Sequence, residues 1–263
     1  MGSVYALVSP GGSPGVTTAA LALALGWPMP AIVAECDPAG GAVLAGALGG
    51  HVPAAIGLME HAIEAGRNPQ AAAAGLAAQL VALDTSRTRM VLPGLTDPRQ
   101  AVGLAAAWPA VAMTLAAQPH DVIADCGRLD ASDAQPHAVL AAASTVAVVL
   151  RPTLRQVWAA RPRIDMLAQL LGGTSRVVLL VNGPGTHPPR EIAGILGVPV
   201  TAVLPADARS AAVLSDGAER RRQFGSGPLM AAAKGAGQAL RRHAAAQASA
   251  PASSQFTAMG AQR

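Results

Sequence analysis

The sequence predicts an α/β fold, a doubly wound and mostly parallel sheet of about seven strands with helices on both faces. Three observations predict it. Short apolar runs rich in β-branched residues recur along the chain. Segments of helical length separate them, and clusters of Gly, Pro, Asn and Asp end most of the runs. Runs that are apolar on both faces suit strands covered on both sides of a parallel sheet.

The elements follow in order. Val4–Val8 is the first strand, ended by Ser9-Pro10-Gly11-Gly12-Ser13-Pro14-Gly15. Thr17–Leu25 is an Ala/Leu-rich helix closed by Gly26 and Pro28, and Ala31–Glu35 is the second strand. Residues 41–84 read as helical pieces broken at Gly49-Gly50, Pro53 and Asn68-Pro69, with Arg89–Leu92 a third strand after them. A helix starts at Asp97 or Pro98 and reaches about Ala117, with a kink or break at Pro109. Asp121–Asp125, Thr145–Leu150, Arg176–Val181 and Val200–Leu204 are the remaining strands, with helices over Leu154–Leu171 and Pro189–Leu196 between the later ones. One domain over 1–243 accounts for these elements. From Ala244 to Arg263 the Ala/Ser/Gln-rich sequence has no periodicity and reads as a disordered tail.

Composition narrows the class. Of the 263 residues 51% are hydrophobic and 13% charged, which excludes a disordered chain. Two cysteines exclude a disulfide scaffold and a four-cysteine zinc site. The longest nearly unbroken apolar run, Ala138–Leu150, is too short to span a bilayer, and no basic segment precedes the first apolar run. A soluble cytoplasmic chain is the expectation. Its net charge is +4, and of its nineteen basic side chains only Lys234 is a lysine. The charge argues only weakly for nucleic acid or membrane partners.

Ligands of open α/β sheets sit outside the carboxyl ends of the strands. This places Ser9–Thr18, Cys36–Gly41, Cys126–Asp130, Arg151–Thr153 and Asn182–Gly185 on one rim. In the first of these, glycines let successive N–H groups turn inward at a helix N-terminus, an arrangement suited to a phosphate. Thr17 or Thr18 can offer a hydroxyl to magnesium. A tight strand-to-helix turn with no ligand is the plainer alternative.

The loop resembles that of the MinD/ParA family of deviant Walker P-loop ATPases (SIMIBI class), G-K-G-G-x-G-K-T-T. Pro10 stands at the family's first glycine, Gly11 at its signature lysine, Gly15 at its last glycine and Val16 at the Walker lysine, while Thr17 and Thr18 match. Both lysines are replaced, and Pro14 removes one N–H donor. The resemblance covers roughly residues 1–240. It implies that Gly11, Gly12, Ser13, Gly15, Val16, Thr17 and Thr18 surround the phosphates of ATP or ADP. Glu35-Cys36-Asp37-Pro38 is similar to switch I, where Asp37 would position the attacking water or magnesium. Asp125, in Val122–Gly127, matches the Walker B carboxylate, making Thr17, Asp37 and Asp125 the magnesium side. Asn182, and Pro205 with Asp207, fall where relatives recognise the base.

Each residue also has a plainer reading: Asp37 as a helix cap, Asn182 as a turn residue, Cys36 and Cys126 as small buried hydrophobes. Arg128 and Arg151 are the rim arginines able to replace the lost charge; the alternative is that both are solvated. The six histidines show no metal-ligand spacing. The resemblance implies a nucleotide-binding switch with weak or absent hydrolysis, a homodimer, and a protein partner that reads its state. The other readings are a pseudo-ATPase scaffold, as in the TadZ/CpaE-like pilus-assembly branch, and a partitioning protein holding DNA nonspecifically through Arg220–Arg222. Pro228–His243 has few large apolar residues, so membrane anchoring is not expected.

Overall fold

A computed structural model describes residues 1–12, 14–50 and 56–249. Eight strands form one sheet: β1 (Val4–Ser9), β2 (Ala31–Glu35), β3 (Val81–Ala82), β4 (Arg89–Leu92), β5 (Asp121–Arg128), β6 (Thr145–Leu150), β7 (Val177–Asn182) and β8 (Val200–Leu204). Their spatial order is β3-β4-β2-β5-β1-β6-β7-β8, and every pairing is parallel except β3 with β4. The expected count of about seven is corrected to eight. β3 is only two residues long, too short to show periodicity, and exists because the chain turns back on β4.

Ten helices complete the described fold: α1 (Val16–Gly26), α2 (Leu58–Arg67), α3 (Pro69–Gly75), α4 (Ala101–Leu104), α5 (Trp108–Ala116), α6 (His137–Ala142), α7 (Leu154–Leu171), α8 (Pro189–Leu196), α9 (Ala208–Ser215) and α10 (Pro228–Ser249). Of the kink or break expected at Pro109, the structure has a break, between α4 and α5, with the proline in the first turn of α5, where its missing N–H costs no helical bond. His51 and Pro53 lie outside the described residues.

The alternation of side chains along β1 divides the core. Val4, Ala6 and Val8 join an apolar cluster that takes in α2, α3 and α5–α8. Tyr5 and Leu7 join a second cluster with α1, α9 and α10 on the other face. Trp27 packs edge-on against Tyr5 and donates its indole N–H to Asp121 at 2.9 Å. A Cβ on Gly237 would lie 2.8 Å from the Trp27 ring, so this glycine lets α10 pass directly over the indole. The helix is therefore continuous, and it extends to Ser249, five residues past the expected tail boundary at Ala244. Alanine-rich sequence propagates a helix already held by packing. Residues 250–263 are outside the described part. No helix among the described residues is long and apolar enough to cross a membrane.

From β1, the chain goes to β2 and β4 on one side of the sheet and later to β6, β7 and β8 on the other. The loop after β1 thus stands where the strand order reverses, the ligand crevice of such sheets.

Candidate functional site

The loop from β1 to α1 is shaped by its backbone. Gly12 and Gly15 have φ of 66° and 90°, and Gly15 is the N-cap of α1 with no side-chain cap bond. The first amides of α1 accordingly lack intrahelical acceptors, the condition for holding an anion. Ser13, assigned to the same cradle, lies outside the described residues.

Two amide side chains brace this loop from across the rim. Asn182, at the end of β7, donates from Nδ2 to the Pro14 carbonyl at 2.5 Å. Gln156, on α7, donates from Nε2 to the Gly11 carbonyl at 2.7 Å. Gln156 is 6% exposed and its Oε1 has no hydrogen-bond partner. Sequence reasoning missed it because the contact joins positions 145 apart and a glutamine in a helix carries no motif. Gln156→Leu is expected to cost about 1 kcal/mol. Amide hydrogen exchange at residues 11 and 12 should quicken while that of β1 holds; unchanged exchange there would remove Gln156 as a brace.

Val16, which the resemblance sets at the Walker lysine, is 7% exposed and belongs to the same apolar cluster as Leu7, Val33 and Val43. No cation reaches the loop from this position. Thr17, the next residue, lies beside Asp125 and lowers its pKa, against the effect of burial.

Asp125 is 1% exposed, accepts from the Gly127 N–H at 3.0 Å, and is pushed up to about 7 by burial. Its neighbour across the β2/β5 ladder is Glu35. Glu35 is also buried and accepts backbone N–H bonds from Ala42 (2.8 Å), Val43 (3.1 Å) and Gly94 (3.0 Å). Burial raises it too, against those three bonds. It fastens two loops. Asp37 is half-buried, accepts from Ala39 N–H at 2.8 Å, and is raised by burial and by Asp130. Its carboxyl group lies directly over Gly127. Among the described residues none of these three carboxylates forms a salt bridge. Cys36 and Cys126 are free and fully buried, and burial pushes both thiols up, which suits core residues and not nucleophiles.

Beside the loop lies a cavity of about 360 Å³. Gly15, Thr18, Arg151, Asn182, Pro205 and Asp207 are among its walls, so residues from four separate strand ends converge. Asp207 is also the N-cap of α9, accepting from Ser210 N–H at 3.1 Å and Ser210 Oγ at 2.7 Å, bonds that lower its pKa. Arg128 is exposed at the end of β5 and does not line this cavity, whereas Arg151 is exposed and does. The arrangement offers backbone amides for an anion, a hydroxyl with two carboxylates for a hard cation, and an adjoining hollow for a flat group. Thr17, Asp125 and Asp37 supply oxygen only, the donor set magnesium prefers. Among the described residues no group of three His, Cys, Asp or Glu forms a self-sufficient metal cage.

No protein-family model matches the sequence, and no curated protein matches it. Solved structures do match in fold. MinD from Pyrococcus horikoshii, complexed with Mg-ADP, aligns with a TM-score of 0.71 at 18% identity over 95% of this chain and 100% of that one. A ParA family ATPase from Chlorobium tepidum aligns at 0.68 and 15% identity over 90% and 99%. A chain of the MinC:MinD cell division protein complex of Aquifex aeolicus aligns with a TM-score of 0.69 at 15% identity over 91% and 96%. With the reversal of strand order at β1 and the glycine loop at the head of α1, the chain has the fold of the MinD and ParA P-loop ATPases.

Proposed function

We propose that the chain is a nucleotide-binding switch that acts in cellular positioning or assembly, with adenine nucleotide and magnesium as its ligands and hydrolysis slow or absent. The observation that carries this reading is the continuity of three parts: the glycine turn before α1, Thr17 beside Asp125, and the cavity walled by Asn182 and Pro205. Amides of Gly11, Gly12, Ser13, Gly15 and Val16 would hold the phosphates. Thr17, Asp125 and Asp37 would hold magnesium and a water; when bound, the metal supplies positive charge to the phosphates. Thr18, Asn182, Pro205 and Asp207 would border the nucleoside. That MinD from P. horikoshii is seen with Mg-ADP supports the choice of ligand.

Slow turnover follows from charge. Phosphoryl transfer is accelerated by cations at the transferring group, where one arginine alone is worth about 10³–10⁵ in rate. Val16 is buried and apolar where the lysine would stand, and the nearby carboxylates add negative charge. Arg151 is the cation that borders the cavity.

Titration calorimetry with ATP and ADP, with and without magnesium, tests the reading. Arg151→Ala is expected to weaken nucleotide binding about tenfold, the worth of one partly exposed charged contact, and Arg128→Ala to leave it unchanged. If both variants bind as the wild type does, neither arginine compensates for the lysines. No heat at millimolar nucleotide would favour a second reading, a non-catalytic scaffold in pilus or secretion assembly. Val16 and Pro14 are the observations in its favour, one closing the lysine position and the other lacking an N–H. In either case a homodimer and a protein partner are the proposed assembly, in keeping with the MinC:MinD complex of A. aeolicus.

A further inference from the structure

Five of the nineteen basic side chains meet at the opposite end of the sheet, at the amino ends of the strands. Arg89 opens β4, Arg220, Arg221 and Arg222 lie between α9 and α10, and Lys234 stands on α10. Together they line a cavity of about 530 Å³, with Trp27, Phe224 and Met230 as apolar wall.

The acid in this cavity, Asp84, is already engaged. Its carboxylate accepts from the N–H groups of Thr88 (2.9 Å) and Arg89 (3.2 Å) and from the hydroxyls of Ser86 (2.9 Å) and Thr88 (2.8 Å). Among the described residues none of the five cations forms a salt bridge. Arg89 is held in place by its own donors, to the carbonyls of Thr88 at 3.0 Å and Trp27 at 2.5 Å, while its Nε is buried with no partner. Arg220 rests on the Phe224 ring, 4.7 Å from its centroid, which fixes the guanidinium at the mouth. Like charges gathered around a concave surface leave a positive potential that only an anion relieves. Guanidinium forks match phosphoryl oxygens in pairs.

We propose that this cavity binds a ligand carrying clustered phosphoryl groups, of the di- or triphosphate kind, at a site separate from the loop after β1. A single phosphate cannot face five cations set around one hollow, and the volume suits a small molecule or a headgroup. A duplex presents its phosphates on a convex surface and would touch the rim alone. The ligand chemistry is shared by soluble polyphosphate compounds and by the headgroups of polyphosphorylated lipids.

Lys234 makes the site separately readable. It is the only lysine and is exposed, so acetylation by an amine-selective reagent reports on this cavity, with the amino group of Met1 as internal control. Inorganic triphosphate at about 0.15 M ionic strength is expected to slow acetylation of Lys234 about tenfold and leave Met1 unaffected. Monophosphate should protect far less. The triple variant Arg220→Gln, Arg221→Gln, Arg222→Gln, all on exposed loop positions, should fold normally by circular dichroism and lose the protection. Vesicles of phosphatidylcholine containing a phosphoinositide bisphosphate distinguish the sources: protection by vesicles as well as triphosphate assigns a headgroup, and protection by triphosphate alone assigns a soluble ligand. The proposal is overturned if triphosphate gives no protection, if the triple variant is protected equally, or if duplex DNA protects where triphosphate does not.

Discussion

Gly127→Ala is expected to dismantle the proposed magnesium side of the site while leaving the sheet assembled. Gly127 has φ of 64°, a conformation that costs an alanine about 1–2 kcal/mol. The added methyl would also lie 2.1 Å from Cγ of Asp37. Asp37 is a short side chain tied to the Ala39 N–H, so it cannot turn aside without losing that bond. Strain and displacement together place the stability loss at about 2–4 kcal/mol. Magnesium-dependent nucleotide affinity should fall with it, while circular dichroism at low temperature keeps the wild-type shape. If the variant melts as the wild type does and binds nucleotide equally, Asp37 does not work from its position over Gly127.

Asp125→Asn is expected to stabilise the metal-free protein at neutral and higher pH. Burial raises Asp125 from 3.8 to about 7, so between those values the folded chain keeps a proton that the unfolded chain has released. The stabilising contribution is complete below pH 4 and is lost as pH rises to about 7. Glu35 and Asp37 are raised as well and tilt the curve the same way. For Asp125 alone the change amounts to at most about 4 kcal/mol. With a chelator present, thermal melting of the wild type should fall from pH 5 to pH 8, and Asp125→Asn should flatten the fall. Asparagine keeps an oxygen to accept from Gly127 N–H, yet offers magnesium no charge. The same variant should therefore lose magnesium-dependent nucleotide binding while gaining melting temperature. A wild-type curve that is flat over this range, or a variant that falls just as steeply, would mean Asp125 ionises normally in its pocket.

The parallel strands were legible because each is a short, mostly apolar run; Thr145–Leu150 and Val200–Leu204 have the same limits in the sequence reading and in the structure. Helices ended by glycine or proline, such as Leu154–Leu171 and Pro189–Leu196, were equally clear. Val81–Ala82 was not, since two residues that pair at a turn have no period to read. Gly237 carries no signal in the sequence, because the close approach to Trp27 that it permits arises from packing across the sequence. In the site, the glycine loop, Asp37, Asp125 and Asn182 were visible because they fall at strand ends in a known order. Gln156 and the three amides on Glu35 were invisible, for both depend on which distant backbone groups the fold brings within bonding distance. The arginine cluster was visible as charge, but its cavity was not, because Arg89 and Lys234 join it from other elements.

The buried Glu35 carboxylate fixes how the region around Asp37 can move. On one side the chain is rooted in β2, and on the other the N–H groups of Ala42 and Val43 are moored to Glu35 itself. The segment between is a short bridge with both abutments on a single residue. Any rearrangement that carries Asp37 toward or away from a ligand must come from torsions at residues 37–41, a local flexing that needs no sliding of helices and no opening of the sheet.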